Sequence, residues 1–90
     1  MAYTVNIFTL NGCLHCKTLK SALKENSIPY TEFEVGEHKK IYDQIMEQTK
    51  TDALPTVYLQ DEETLSGPIF VAGRDFKNKD EALEKIKKYL

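Results

Sequence analysis

Cysteine is almost missing from this chain. Both copies fall in one stretch, Asn11-Gly12-Cys13-Leu14-His15-Cys16, and no second pair exists to build a disulfide framework. Histidine is as scarce, with only His15 and His38 to add to the ligands of a zinc site. His15 lies between the two thiols and cannot easily join them around one ion, so no metal site is expected. No apolar run approaches the roughly 20 residues that a membrane span requires. The start, Met1-Ala2-Tyr3-Thr4, lacks the basic segment and long apolar stretch of a secretory signal, so export is not indicated. A surplus of positive charge is also missing. Twelve Lys and Arg face fourteen Asp and Glu, and the net charge of -2 gives no electrostatic reason to expect nucleic acid. Internal repeats, linkers and low-complexity segments are absent too. What remains is the composition of an ordinary water-soluble chain, 41% apolar and 29% charged. Ninety residues support one modest core and not two, so residues 1–90 are expected to form a single domain.

The cysteine stretch lies between an apolar run, residues 5–10, and a helical pattern over residues 17–25. A strand that feeds a helix through a Cys-x-x-Cys turn places the first sulfur at the helix N-terminus. Unpaired backbone N–H groups and the positive end of the helix dipole there favour a thiolate over a thiol. Cys16 lies one turn further and is able to close a disulfide with Cys13. This spacing, in an αβ setting, is that of a redox dithiol. A purely structural bridge over so short a loop would remove little unfolded-state entropy, and a cytoplasmic location suits a catalytic pair better. An imidazolium at His15 would add positive charge beside Cys13, which makes His15 the expected tuning residue.

Residues 3–10 are β-rich, with Val5, Ile7, Phe8 and Leu10 apolar on both faces, the pattern of a central strand. Leu19, Ala22 and Leu23 then form a helical apolar stripe, while Lys17, Lys20 and Lys24 recur elsewhere on the same helix. Residues 30–35 alternate, with Phe33 and Val35 on one face and Glu32 and Glu34 on the other. Two strands joined through a helix should be parallel. After Gly36, the spacing of Ile41, Ile45 and Met46 predicts a second amphipathic helix. Strands follow at 56–59 and 69–72, joined without a helix and therefore antiparallel, across an acidic loop at 60–68. A capping-box-like Asn78-Lys79-Asp80-Glu81 opens a last helix that should bury Leu83, Ile86 and Leu90. The order is βαβαββα.

With these elements in place the chain resembles the glutaredoxins, small thioredoxin-fold thiol–disulfide oxidoreductases. Ile7-Phe8-Thr9 leading into Cys13-Leu14-His15-Cys16 is similar to the family's strand and dithiol. Ala53-Leu54-Pro55 stands where the family has Thr-Val-Pro, whose proline is cis and faces the dithiol. Ala72-Gly73-Arg74-Asp75 stands where the family has Gly-Gly-x-Asp before its last helix. The resemblance implies an α/β, thioredoxin-like fold, a four-stranded mixed sheet flanked by three helices. It also implies a glutathione or substrate groove built from Tyr42, Leu54, Pro55, Gly73, Arg74 and Asp75. In that groove the Leu54 N–H and C=O would pair with an extended substrate backbone.

Three departures stand beside these matches. Leu10 occupies the position of the Lys or Arg that holds a glutathione carboxylate in the family. Tyr42 replaces a Gln or Arg that often helps there, and Leu14-His15 replaces Pro-Tyr. The expectation is a monomeric, cytoplasmic reductant of protein disulfides or glutathione mixed disulfides, with Cys13 as nucleophile and Cys16 resolving. No bound cofactor is expected; glutathione is the expected co-substrate. Thioredoxin reductase is the other candidate electron donor, and ribonucleotide reductase a candidate acceptor, as for some family members. An iron–sulfur or metal-binding role, and a non-enzymatic adaptor of thioredoxin fold, are the alternatives.

Overall fold

The computed structural model describes residues 3–90. Met1 and Ala2, part of the start read above as non-secretory, lie outside them. Seven elements follow in the expected order: β1 (Tyr3–Thr9), α1 (Leu14–Glu25), β2 (Thr31–Glu34), α2 (Lys39–Thr49), β3 (Thr56–Asp61), β4 (Ile69–Val71) and α3 (Lys79–Lys87). The strands form one mixed sheet in the order β2-β1-β3-β4. β1 pairs parallel with β2, placing Ile7 opposite Glu32, and antiparallel with β3, placing Ile7 opposite Val57. β4 adds antiparallel to β3.

The central position of β1 explains why its side chains are apolar in both directions. Val5 and Ile7 face one layer, where they meet Leu19, Ala22 and Leu23 of α1 and Ala82, Leu83 and Ile86 of α3. Phe8 points to the opposite layer, against Tyr42 and Ile45 of α2 and the half-buried Phe33. α1 and α3 therefore cover one face of the sheet and α2 covers the other. Each Val, Leu, Ile or Phe side chain fully buried this way contributes about 1.5–3 kcal/mol of hydrophobic stabilisation.

Local deviations from the sequence reading have local causes. α1 begins at Leu14, three residues before the helical pattern read over residues 17–25, because its first turn exposes Leu14 and His15 and buries only Cys16. Leu10 is not strand interior but a half-exposed turn residue, its carbonyl accepting from Cys13 N–H at 3.0 Å. Ile41 was expected to be buried; α2 instead turns Tyr42 and Ile45 inward and leaves Ile41 exposed. Leu90 was expected in the core and is exposed, because α3 ends at Lys87 and the helical period does not carry further. The acidic loop is shorter than expected, since β3 runs on to Asp61, whose Oδ1 accepts the Glu63 N–H at 2.7 Å. Gly67 closes that hairpin where a Cβ would run into the Leu59 carbonyl oxygen.

Candidate redox site

The site begins with a turn that only glycine suits. Gly12 has φ +84°, and the bend it allows carries the chain from β1 into α1 with Cys13 as the N-cap. Cys13 has extended backbone, φ -80° and ψ 109°, and its Sγ accepts the Cys16 N–H at 3.2 Å. A sulfur thus takes the place that Ser or Asp fills at most helix starts. No acidic side chain lies in the first turn of α1 to offset the positive helix end. Cys13 and Cys16 are joined as a disulfide with Cα atoms 5.3 Å apart. Their environments differ: Cys13 is half-buried, whereas Cys16 is 1% exposed beneath it. Leu10 and Leu14, both exposed, form an apolar collar around the motif.

Two recesses flank the dithiol. One, of about 390 Å³, is lined by Cys13 and Cys16 together with Leu10, Lys17, Lys20 and Glu32. Glu32 is held there by Thr9 Oγ1, which donates at 2.6 Å, and by Lys20 Nζ at 2.9 Å. The Thr9 hydroxyl first, and then Lys20, hold the Glu32 carboxyl below the usual carboxylate range against the opposing effect of burial. Lys20 is therefore committed to an internal ion pair, and the lysine stripe read from the sequence loses one free cation.

The second recess, of about 270 Å³, brings His15 to Leu54, Pro55 and Gly73. The Leu54–Pro55 bond is cis. Among the described residues, neither the Leu54 N–H nor its C=O makes a hydrogen bond. The other expected groove residues do not line this recess. Tyr42 is 7% exposed on the α2 side, with its hydroxyl donating to Asp52 O at 2.9 Å and its ring 5.9 Å from that of Phe8. Burial first, and then Asp52, push the Tyr42 phenol above its ordinary value. Asp75 Oδ2 accepts the Val71 N–H at 2.8 Å and pairs with Arg74, whose Nη1 donates to Thr49 O at 3.0 Å. Their polar atoms brace the turn at Gly73, φ +86°. Sequence reasoning missed Glu32 and the Lys77–Lys79 side of the second recess. The alternation of β2 does assign Glu32 to the face opposite Phe33, which is the face α1 covers.

Among the described residues, no three His, Cys, Asp or Glu side chains converge as a metal site. No helix among them is long and apolar enough to cross a membrane.

A thioredoxin-like fold carrying a Cys-x-x-Cys at the start of its first helix defines the class, and known structures agree. The thioredoxin-like protein BC3987, solved as a point mutant, superposes with a TM-score of 0.65 at 19% identity, covering 96% of this chain and 97% of that one. The germline-specific thioredoxin Deadhead of the fruit fly Drosophila melanogaster gives 0.64 at 17% identity, covering 98% and 81%. A malarial protein gives 0.59 at 14%, covering 100% and 99%. At these identities the likeness shows the fold. No functionally curated protein matches the chain. The family is given by the sequence itself: residues 5–63 match the glutaredoxin family model, and the chain belongs to the glutaredoxin family. Its Cys13–Cys16 pair is accordingly a thiol–disulfide redox pair.

Proposed function

We propose that this chain is a glutaredoxin-like dithiol reductant of protein disulfides and glutathione mixed disulfides. One observation carries the division of labour: Cys13 reaches solvent at the helix start, while Cys16 is buried beneath it. The Cys13 thiolate attacks a substrate disulfide, forming one S–S bond as the substrate bond breaks, and the departing sulfur takes up a proton. Cys16 then loses its proton and attacks Cys13 Sγ. The second substrate thiol leaves, and two electrons have passed from the dithiol to the substrate. The free Leu54 N–H and C=O hold the substrate backbone alongside as a short added strand.

Glutathione is the co-substrate in this reading, weakly held. Leu10 offers no charge for its carboxylate, and the Tyr42 hydroxyl is engaged with Asp52. The same two residues support thioredoxin reductase as the alternative donor. The protein works as a cytoplasmic monomer, and ribonucleotide reductase is one candidate acceptor. The test supplies a disulfide substrate with NADPH and either glutathione plus glutathione reductase or thioredoxin reductase. NADPH consumption with at least one donor is expected. Consumption with neither would favour the alternatives, a non-enzymatic adaptor or an iron–sulfur or metal-binding role.

A further inference from the structure

The recess beside Pro55 has a feature that dithiol chemistry does not use. Its floor is apolar, formed by the buried Leu19, Pro55 and Phe76 with the half-buried Ala72. Its exposed rim is His15, Lys77 and Lys79, and no carboxylate lines it. In a chain of net charge -2, that is a local reversal of sign. Among the described residues neither lysine ammonium is paired with a carboxylate. Two of the nearby acids are otherwise engaged. Glu81 turns back to accept the Lys77 backbone N–H at 2.7 Å, and Asp75 is tied to Val71 and Arg74. Asp80, exposed in the first turn of α3, does not line the recess. The N-terminus of α3 at Asn78 lies on the same rim, but Asp80 and Glu81 in its first turn offset its positive end, so the rim's charge comes from the two lysines.

We propose that this recess selects the protein disulfide: it seats an apolar side chain near the substrate cysteine while Lys77 and Lys79 attract flanking acidic residues. The inference rests on the dithiol reading above and adds the substrate's chemistry to it. An apolar floor contributes affinity, and a one-sign rim contributes encounter rate and discrimination against basic segments. The occupant is thus an acidic-apolar segment of a partner protein.

The test needs no external electron donor. The protein is reduced, freed of reductant, and mixed in single turnover with disulfide-bonded peptides. One peptide carries Leu flanked by Glu, a second Leu flanked by Lys, a third Gly flanked by Glu. Reduction of the Leu–Glu peptide is expected to be faster than that of the Leu–Lys peptide by on the order of tenfold at low salt. The Gly–Glu peptide should fall between them. The acidic preference should shrink toward unity in 0.5 M salt and in the Lys77→Gln/Lys79→Gln double variant, and reverse in Lys77→Glu/Lys79→Glu. Equal wild-type rates for the acidic and basic peptides, or a preference untouched in the double glutamine variant, would overturn the proposal. Reduction of none of the three peptides would instead sink the dithiol reading itself, so the two failures are distinguishable.

Discussion

The Cys16 backbone N–H points at Cys13 Sγ from 3.2 Å, so the solvent-reaching sulfur sits where a helix start offers a hydrogen bond to a negative charge. The donor belongs to the backbone of α1, so it is expected to keep its place when reduction frees that sulfur. The resulting thiolate would inherit a charge-assisted hydrogen bond and the helix dipole together.

The two cysteines are therefore not equivalent. Cys13→Ser should abolish reduction of every disulfide, since no other thiol remains within reach of solvent. Cys16→Ser should accumulate a mixed disulfide with its substrate, visible as a mass increase that dithiothreitol removes. Trapping that survived loss of Cys13 but required Cys16 would reverse the roles.

Leu10 lines the recess that holds Cys13, on the turn that leads into α1. Leu10→Lys would place an ammonium beside Lys17 at the edge of that recess. A charge-assisted contact to a carboxylate contributes about 1.5–3 kcal/mol, or roughly ten- to a hundredfold in affinity. Screening at an exposed position should bring the gain to the lower end. The concentration of glutathione giving half-maximal turnover is expected to fall about tenfold in Leu10→Lys. An unchanged value would place the glutathione carboxylate elsewhere.

Legibility in the sequence followed physical locality. The strand–turn–helix around Cys13, the parallel pairing of β1 with β2 and the hairpin of β3 with β4 depend on short-range periodicity and connection rules, and the structure has all of them. Ile41 misled because a helix's buried face is set by what packs on it, and Leu90 because α3 ends at Lys87, short of it. The Thr9–Glu32–Lys20 cluster joins three elements, so no single window of sequence contains it. Lys79 read only as part of the capping box that opens the last helix, and Lys77 carried no reading at all. Only the docking of α3 beside α1 and Pro55 turns the pair into one wall of a cavity.

Asp75 gives the fold a dependence on acid. Burial alone would raise its pKa, but the Val71 N–H and the Arg74 guanidinium together outweigh it and hold the carboxyl below the usual range. A folded-state value depressed below the unfolded one, about 3.9, means that the stabilisation is present above that pH. It is lost as pH falls through the folded value. Asp75→Asn should cost about 1 kcal/mol at pH 7 after allowance for partial exposure. The gap between variant and wild type should close below roughly pH 4, read from urea midpoints at successive pH values. A gap of constant size from pH 7 to pH 2 would show that the carboxylate charge is not what braces the Gly73 turn.

His15 stands in the first turn of α1, exposed, between the two cysteines, and lines the recess that contains Pro55. The effect expected of it on the dithiol acts through charge. A positive charge on His15 would stabilise a Cys13 thiolate in the reduced protein, whereas the disulfide carries no charge for it to stabilise. Positive charge there favours only the reduced form, so wild type should be the stronger oxidant. His15→Ala is expected to shift the reduction potential to more negative values by up to about 30 mV, equivalent to 1.4 kcal/mol for a two-electron couple. Solvent exposure keeps the shift from being larger, and added salt should diminish it. Equilibration of both proteins with glutathione redox buffers measures the potential, and thiolate absorbance across pH follows Cys13 in the same samples. Coincident potentials and coincident absorbance curves would assign the activation of Cys13 to the helix end alone.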